Sequence, residues 1–243
     1  WHAPFWNCCN SAASPQWPNS VMRAVLIPVK DLTCAKQRLA PVLAQKERTA
    51  LATAMMEDVF AAVAAVRGID AVFVVSNLGP ALERARSMGW EVIRERQQVS
   101  ESDSVDCASQ ICAAQGVDAL LRLPIDIPLL LACDVEEVLA AAGPAPACVL
   151  VASRDGTGTN ALLRTPPGLF RSHFGPYSFG KHLAEAAAKG AQALVLRNTR
   201  IELDVDDEDD LRTLAARADV RGATREWLRR AGILTTSRSA IAD

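Results

Sequence analysis

Three cations follow the first apolar segment of the chain. Lys30, Lys36 and Arg38 lie within nine residues of one another in the loop PVKDLTCAKQRL, residues 28–39. Lysine supplies a point charge and arginine a forked donor, so this loop could neutralise a triphosphate. It contains no glycine, which distinguishes it from a Walker loop and from a dinucleotide-binding turn, because both need close backbone approach to phosphate. From charge alone, a solvated basic loop is the simpler interpretation.

Carboxylates occur in two places that would suit a cation. Asp126 lies between two prolines in LPIDIPL, residues 123–129, where a stiff backbone would direct its side chain into a crevice. Asp204 and Asp206, in LDVDDEDD, are two residues apart and therefore face the same side of an extended backbone. Mg²⁺ prefers one or two protein carboxylates together with substrate phosphates. A turn-capping aspartate and a solvated helix start are the alternative interpretations of these segments.

Hydroxyl groups and glycines form a third polar group, in DGTGTN at residues 155–160 and FGPYSFGK at residues 174–181. Thr159 and Ser178, with free backbone amides near Gly175, could bind an anion. Ser178 could instead serve only as a helix N-cap. Together, the three groups suit phosphoryl or nucleotidyl transfer, which depends on positioning and charge neutralisation more than on covalent catalysis.

The elements that must position these side chains alternate along the chain. Apolar runs predict strands at residues 23–29, 70–76, 90–93, 118–123 and 147–153. Helical periodicity and glycine stops predict helices at residues 47–66, 80–88, 102–114 and 134–142. This alternation predicts a three-layer α/β fold with a mostly parallel sheet. The polar segments fall at the carboxyl ends of strands, where ligands bind in such sheets.

Beyond residue 153 the pattern changes to shorter pieces. Strand-like runs at residues 160–164, 193–197 and 200–205 predict a small antiparallel flap on the sheet, with helices at residues 178–189 and 206–217. Residues 22–218 would form one domain, followed by a C-terminal helix and tail at residues 219–243. Residues 1–21 lack apolar periodicity and are interpreted as a disordered or cloning-derived extension.

Composition restricts the classes of function. The chain has 243 residues, half of them apolar, and a net charge of −2. This balance argues against a broad nucleic-acid surface, and no apolar run is long enough for a membrane helix. The seven cysteines have no paired spacing, so we expect free thiols and a cytoplasmic protein.

The order of the motifs resembles the 2-phospho-L-lactate guanylyltransferase family, which includes phosphoenolpyruvate and 3-phosphoglycerate guanylyltransferases. The similarity covers residues 23–217, and DGTGTNAL and LDVD are its most specific parts. It implies a nucleotide-diphospho-sugar-transferase-like fold. It also implies that GTP reacts with a small phosphorylated carboxylate to give a guanylylated diphosphate and pyrophosphate. A downstream transferase would then use the product in biosynthesis of the deazaflavin coenzyme 420, and a homodimer is compatible with the sequence.

The resemblance also implies roles for individual residues. The GTP phosphates would be held by Lys30, Lys36 and Arg38, and the two lysines would act in catalysis together with Asp126. Mg²⁺ would be bound by Asp126, Asp204 and Asp206. The phosphorylated carboxylate would be bound by Thr159, Gly175 and Ser178.

One segment departs from the family pattern. Relatives usually have G-L-N-A-A at the start of the helix after the third strand, whereas this chain has SVDCA at residues 104–108. Asp106 replaces the amide and Cys107 replaces a small apolar residue. This helix start is expected to face the substrates, so Cys107 joins the predicted substrate-binding residues. The departure favours phosphoenolpyruvate or 3-phosphoglycerate over 2-phospholactate as acceptor.

Two other functions stay open from the sequence. The first is another nucleotidyltransferase of the same fold, of the molybdenum-cofactor guanylyl- or cytidylyltransferase type, although those proteins usually have a glycine-rich loop after the first strand. The second is a non-catalytic nucleotide-binding module. The presence of Asp126, Asp204 and Asp206 disfavours the second, because binding alone tolerates loss of metal-binding carboxylates.

Overall fold

The computed structural model describes residues 21–234, and its centre is a seven-stranded sheet. The strands are β1 Arg23–Val29, β2 Ala71–Ser76, β3 Glu91–Arg94, β4 Ala119–Arg122, β5 Ala147–Ala152, β6 Thr159–Thr165 and β7 Gln192–Leu196. Their order is β3-β2-β1-β4-β6-β5-β7. Every neighbouring pair is parallel except the two that include β6. The predicted extension and tail fall largely on residues 1–20 and 235–243, outside the described residues.

Helices cover both faces of the sheet. They are α1 Gln45–Ala64, α2 Gly79–Ser87, α3 Glu101–Ala114, α4 Ala132–Ala140, α5 Ser178–Ala188, α6 Glu208–Ala215 and α7 Gly222–Arg230. One apolar cluster joins the sheet to α1, α2 and α4, and clusters on the opposite face join it to α3 and α5. A further cluster joins α1 to α6 and α7. The predicted three-layer α/β fold is confirmed.

Strand β1 illustrates why the central strands are apolar throughout. Val25 and Ile27 belong to the cluster beneath α1 and α4, whereas Ala24 and Leu26 pack on the side of α3. All four side chains are completely buried. A strand that is covered on both faces can carry polar groups only where it ends. The loop after Val29 is such a place, and it contains the predicted basic residues.

The antiparallel part of the sheet is confirmed, but it is not a flap. Strand β6 lies between β4 and β5, with Leu163 opposite both Leu121 and Val149, and every residue of β6 is buried. The glycine-rich turn before β6 therefore lies beside the carboxyl ends of β1 and β4, in the middle of the sheet and not at one of its outer strands. This position brings Thr159 to the same edge as Asp126.

The strand predicted at residues 200–205 is wrong. Ile201, Leu203 and Val205 are buried, but the chain there forms a turn followed by irregular backbone. The alternation of apolar residues reflects packing on one side, without a neighbouring strand to pair with. The Val205 N–H donates to the carbonyl oxygen of Asp126 at 3.0 Å. This bond holds the acidic segment at residues 203–210 beside the loop that contains Asp126.

Within the part of the chain that the structure describes, no helix combines the length and apolarity needed to cross a membrane.

Candidate active site

A cavity of about 810 Å³ opens at the carboxyl ends of β1 and β4. Its walls come from the basic loop, the loop after β4, the turn before β6, the start of α5 and the acidic segment before α6. The predicted site residues that line it are Lys30, Lys36, Arg38, Asp126, Thr159, Gly175, Ser178, Asp204 and Asp206. Cys107 is the exception. Side chains far apart in the sequence therefore meet in one cavity.

Lys36 joins two of the acidic residues. Its Nζ donates to Oδ2 of Asp126 at 2.6 Å and to Oδ1 of Asp206 at 2.7 Å, and the lysine side chain is only 9% exposed. Burial by itself would lower the pKa of Lys36, but the charges of Asp126 and Asp206 outweigh it and the pKa is raised. Burial opposes ionisation of Asp126 as well, yet the Lys36 ammonium keeps the pKa of that carboxyl below its usual range. Lys36 and Asp126 are therefore both charged at neutral pH.

The backbone at Lys36 has a strained conformation, and neighbouring residues hold it in place. Lys36 has φ of 52° and ψ of 49°, the left-handed conformation that residues with a Cβ rarely adopt. It lies between two short 3₁₀ turns, Leu32–Cys34 and Gln37–Leu39. Arg48 on α1 donates to the carbonyl oxygens of Leu43 and Ala35, at 2.7 and 3.4 Å, and so anchors the loop from behind. Strain that is held by surrounding structure is common at functional positions.

Asp204 lies in the field of the other two carboxylates. The amide of Asn160 donates to Oδ1 of Asp204 at 3.0 Å and also to the carbonyl oxygens of Ile201 and Glu202. Burial, followed by the negative charge of Asp126, raises the pKa of Asp204 to about 6. Sequence reasoning missed Asn160, although it stands in the motif DGTGTN, because an asparagine in a turn motif gives no sign of its long-range partner.

The carboxylates suit a divalent cation only in combination with other ligands. Among residues 21–234, no three His, Cys, Asp or Glu side chains are grouped closely enough to hold a metal ion by themselves. The Lys36 ammonium lies between Asp126 and Asp206. Burial, and after it the negative charge of Asp126, raises the pKa of Asp204. Mg²⁺ needs only one or two carboxylates when substrate phosphates supply further oxygens. The oxygen donors present fit such an ion.

A second charged group forms the opposite wall. Lys30 Nζ lies 3.0 Å from Oε2 of Glu101, the first residue of α3, and Arg122 at the end of β4 also contacts this carboxylate. Burial would raise the pKa of Glu101, but Arg122 and Lys30 lower it. Arg122 lies 4.1 Å above the ring of Phe174 and donates to the carbonyl oxygen of Thr159 at 3.2 Å. Sequence reasoning missed Glu101 and Arg122, since an isolated charge near an element end carries no distinctive signal.

The turn before β6 is built around Asp155. Its carboxylate accepts hydrogen bonds from the Ser153 hydroxyl at 2.6 Å and from both N–H and hydroxyl of Thr157 at 2.9 Å. The Ser153 and Thr157 bonds lower the pKa of Asp155 to about 2. A Cβ at Gly158 would lie 2.8 Å from the Ser153 oxygen, so a side chain here would displace Ser153. The turn is thus rigid and presents Thr159 to the cavity.

Hydroxyl groups line the far end of the cavity. Ser178 Oγ is 3.1 Å from Thr159 Oγ1, and His182 Nδ1 lies 3.0 Å from the same threonine oxygen. Ser178 is the first residue of α5, so the helix N-terminus favours negative charge at this point. Gly175, with φ of 120°, provides the turn that brings the segment before α5 back over the hydroxyls. The arrangement is suited to a small anion.

Arg38 occupies the rim. Its guanidinium contacts Asp207, and 67% of its side chain is exposed. Arg154 is a neighbour on the rim that the sequence did not indicate, and its Nη2 lies 2.7 Å from Asp210. Because both arginines are solvated, their ion pairs with these acids are weak and leave them able to turn towards a phosphate.

The interpretation of residues 104–108 is corrected. Cys107 is exposed and lies on the face of α3 away from the sheet, because Ser104, Val105 and Ala108 occupy the buried face. It therefore lines no part of the cavity. Asp106 accepts from the Ser172 N–H at 3.0 Å and pairs with the buried Arg164. The departure from the family pattern thus places no side chain of residues 104–108 in the cavity, and the acceptor preference drawn from it stays a prediction.

Known proteins with similar structures share the fold. A nucleotide-diphospho-sugar transferase from Desulfovibrio desulfuricans G20 superposes with a TM-score of 0.70 at 18% identity, covering 88% of this chain and 96% of that one. A nucleotidyl transferase from Methanothermobacter superposes with a TM-score of 0.60 at 16% identity, over 86% and 99% of the two chains. The nucleotide-diphospho-sugar-transferase-like fold is confirmed.

Sequence comparison identifies the family. A phosphoenolpyruvate guanylyltransferase of Rubrobacter xylanophilus is 35% identical over 81% of this chain and 95% of its own length. A 2-phospho-L-lactate guanylyltransferase of Methanothermobacter thermautotrophicus is also 35% identical, over 84% and 89%. The family of CofC-like guanylyl transferases matches residues 22–241. The chain therefore belongs to this family of nucleotidyltransferases.

Proposed function

We propose that the protein transfers GMP from GTP to the phosphate of a small phosphorylated carboxylate and releases pyrophosphate. The observation that carries this proposal is the presence, in one cavity, of a lysine–carboxylate centre and a separate hydroxyl-lined anion site. The relatives named for phosphoenolpyruvate and 2-phospho-L-lactate give the class of acceptor. Phosphoenolpyruvate, 3-phosphoglycerate and 2-phospho-L-lactate are the candidates, and phosphoenolpyruvate is the first to test.

The nucleotide triphosphate would lie along the basic loop. Lys36 is nearly fully buried and held between Asp126 and Asp206, so its ammonium has a fixed position at the base of the cavity. Lys30 and Arg38 are exposed by more than half and can move to meet the β- and γ-phosphates. Fixed charge at the reacting phosphorus and adaptable charge on the leaving group would suit release of pyrophosphate.

The acceptor would lie at the hydroxyl-lined end. Thr159 and Ser178 offer hydroxyl groups, and the segment at Gly175 offers backbone amides. Its phosphate oxygen would attack the α-phosphorus of GTP while the bond to pyrophosphate breaks. A phosphate is already anionic near neutral pH, so no strong general base is needed. The chain's contribution is to align the two anions against their mutual repulsion.

We further propose Mg²⁺ as the cofactor, held by Asp126, Asp204 and Asp206 together with substrate phosphates. Such an ion would neutralise charge on the α-phosphate and on the departing pyrophosphate. Asp126, Asp204 and Asp206 line the same cavity, and the negative charge of Asp126 adds to burial in raising the pKa of Asp204, which supports a cation there. The Lys36 ammonium would then share the carboxylates with the ion or turn to the triphosphate.

Family membership disfavours the alternatives of a molybdenum-cofactor nucleotidyltransferase and of a non-catalytic nucleotide-binding module. By analogy with the resemblance noted from the motifs, the product would pass to a transferase of coenzyme 420 biosynthesis. A cytoplasmic location and a homodimer remain predictions.

The decisive experiment incubates the protein with GTP, Mg²⁺ and each of the three acceptors in turn. Pyrophosphate release is followed, and products are identified by mass spectrometry, with the downstream transferase coupled in because the products are expected to be labile. We expect a guanylylated acceptor with at least one of the three. GTP binding without turnover for every acceptor would favour the non-catalytic alternative.

A further inference from the structure

His182 lies directly behind the hydroxyl-lined end of the cavity and is completely buried. It is on α5, and its imidazole bonds both to Thr159 Oγ1 at 3.0 Å and to the backbone nitrogen of His173 at 2.8 Å. The ring of Phe174 packs edge-on against it, with centroids 5.0 Å apart. The imidazole does not line the cavity, whereas Thr159 and Ser178 do. Any influence of His182 on a substrate must therefore pass through Thr159.

The contacts of His182 determine which ring nitrogen carries its proton. A backbone N–H can only donate, so Nε2 of His182 accepts from His173 and has no proton. Burial and then the positive charge of Arg164, with smaller effects of His173, Arg122 and Lys181, lower the pKa of His182 to about 3. The imidazole is therefore neutral, and its single proton is on Nδ1. Nδ1 must donate to Thr159 Oγ1.

This tautomer determines whether the Thr159 and Ser178 hydroxyl groups can donate a hydrogen bond to a ligand. Thr159 Oγ1 accepts from His182, and the Ser178 hydroxyl lies 3.1 Å away. Whichever hydroxyl donates to the other, one hydroxyl hydrogen is left over, and no acceptor for it occurs among residues 21–234. With the opposite tautomer, Thr159 would donate to His182 and Ser178 to Thr159, which leaves no hydrogen for a ligand.

We propose that His182 is a positioning residue for the acceptor site. By donating from Nδ1, it makes the Thr159–Ser178 pair a hydrogen-bond donor to an anionic oxygen of the second substrate. The identity of that substrate as a phosphorylated carboxylate rests on the proposed function. The orientation of the hydroxyl pair is a property of the chain itself and can be measured without turnover.

The first test determines the tautomer by NMR of protein labelled with ¹⁵N-histidine. We expect His182 to be protonated at Nδ1 and neutral from about pH 5 to 8. Addition of phosphoenolpyruvate, or of inorganic phosphate as a simpler probe, should shift the Nδ1 proton resonance, because Thr159 then donates to the anion. Protonation at Nε2 would overturn the proposal whether or not the protein proves to be an active guanylyltransferase.

The second test uses His182→Phe, which keeps a ring of similar shape but removes the donor. Loss of a hydrogen bond that supports an anion contact should raise KM for phosphoenolpyruvate at least about tenfold. KM for GTP should stay within about twofold. His182→Asn, whose amide can still donate, should recover part of the loss. The control is His173→Phe, since the His173 side chain bonds to Glu185 and has no bond to Thr159. An equal rise in both KM values, or none, would contradict the role.

The third test separates positioning from packing. If His182 acts through the Thr159 hydroxyl, the double variant Thr159→Val/His182→Phe should have the same KM for the acceptor as Thr159→Val alone. If the fold-changes in KM of the two single variants multiply in the double variant, His182 acts through packing only. Absence of turnover by the wild-type protein with every acceptor would refute the proposed function instead, and the NMR result would still decide the role of His182.

Discussion

The Lys36 ammonium lies 2.6 Å from the Asp126 carboxylate, although 90 residues separate them in the sequence. The contact joins the loop after β1 to the loop after β4, two strands that are neighbours in the sheet. Asp206 reaches the same ammonium from a third segment. The lysine therefore neutralises a group of acids that would otherwise repel one another, and it does so at the base of the cavity.

Replacing Asp126 by Asn should lower kcat for guanylyl transfer at least about 100-fold, because a charge-stabilising group is lost from the reacting centre. The fold should survive, since the backbone carbonyl of Asp126 still accepts from Val205. Turnover is measured by pyrophosphate release and folding by circular dichroism. Turnover within about twofold of the wild type would remove Asp126 from the mechanism.

Replacing Asp204 by Asn should stabilise the protein without Mg²⁺ while abolishing turnover. The pKa of Asp204 is raised from 3.8 to about 6, so the folded state binds more protons than the unfolded state between these values. Stability contributed by this group therefore falls as pH rises through that window. One pKa unit corresponds to about 1.4 kcal/mol, so at pH 7 the variant should gain about 2–3 kcal/mol, and below about pH 4 the difference should vanish.

Urea unfolding of both proteins at several pH values measures this difference. Asn can still accept from Asn160, so the local bond is retained. Addition of Mg²⁺ should raise the unfolding midpoint of the wild type more than that of the variant. A variant that is less stable than the wild type at pH 7 would mean that Asp204 is not electrostatically strained.

Replacing Lys36 by Met should destabilise the protein, since Asp126 and Asp206 lose their shared counter-charge. Lys36 lowers the pKa of Asp126, so the stability from this pair is present above the unfolded pKa of that carboxyl and is lost as pH falls. We expect a loss of about 1–3 kcal/mol at pH 7 that shrinks below about pH 4. The matched control is Lys30→Met, because the Lys30 side chain is 58% exposed.

For Lys30→Met we expect a change in stability within about 0.5 kcal/mol, as for other surface substitutions, and a higher KM for GTP. Thermal and urea unfolding of the two variants at pH 7 and pH 3 make the comparison. Equal destabilisation by the two substitutions would show that the buried lysine has no special role.

Replacing Gly158 by Ala should raise KM for the acceptor, since the new Cβ would lie 2.8 Å from Ser153 Oγ and displace the turn that presents Thr159. Gly168→Ala is the control, because no atom lies within 4 Å of the position of its Cβ. Steady-state kinetics with varied acceptor distinguish the two. Unchanged kinetics in Gly158→Ala would show that the turn can relax without moving Thr159.

Replacing Asp106 by Asn should affect stability and leave the order of preference among acceptors unchanged. Arg164 is almost completely buried, and Asp106 is its ionic partner at 3.4 Å. Weakening this pair should cost about 1–3 kcal/mol. The acceptor panel and urea unfolding are the two measurements. A changed order of acceptors would restore the substrate role that the sequence first suggested for this helix.

Periodicity was sufficient to predict most of the fold. The apolar segments around β1, β2 and β4 are buried on both faces. A run such as RAVLIPV is compatible with few structures other than a buried strand. Residues 200–205 show the limit of this reasoning. The alternating apolar residues there are buried on one side without belonging to a strand, because the Val205 N–H bonds to the Asp126 loop instead of a neighbouring strand.

The candidate site was predictable where charged or hydroxyl residues cluster at strand ends. Lys36, Asp126 and Thr159 belong to such clusters, and the structure brings them into one cavity. Glu101 and Arg122 were missed because their roles arise from tertiary contacts between isolated charges. Cys107 was misplaced because the sequence does not determine the rotation of α3 about its axis.

The proposal that the acidic residues and Lys36 together hold the divalent ion and the triphosphate can be tested in crystals. Its most direct test is anomalous diffraction from crystals grown with Mn²⁺ and a non-hydrolysable GTP analogue. We expect a Mn²⁺ peak within about 2–2.5 Å of a carboxylate oxygen of Asp126, Asp204 or Asp206, with the analogue's phosphates on its other side. A peak elsewhere in the protein, with the triphosphate away from Lys36, would contradict it.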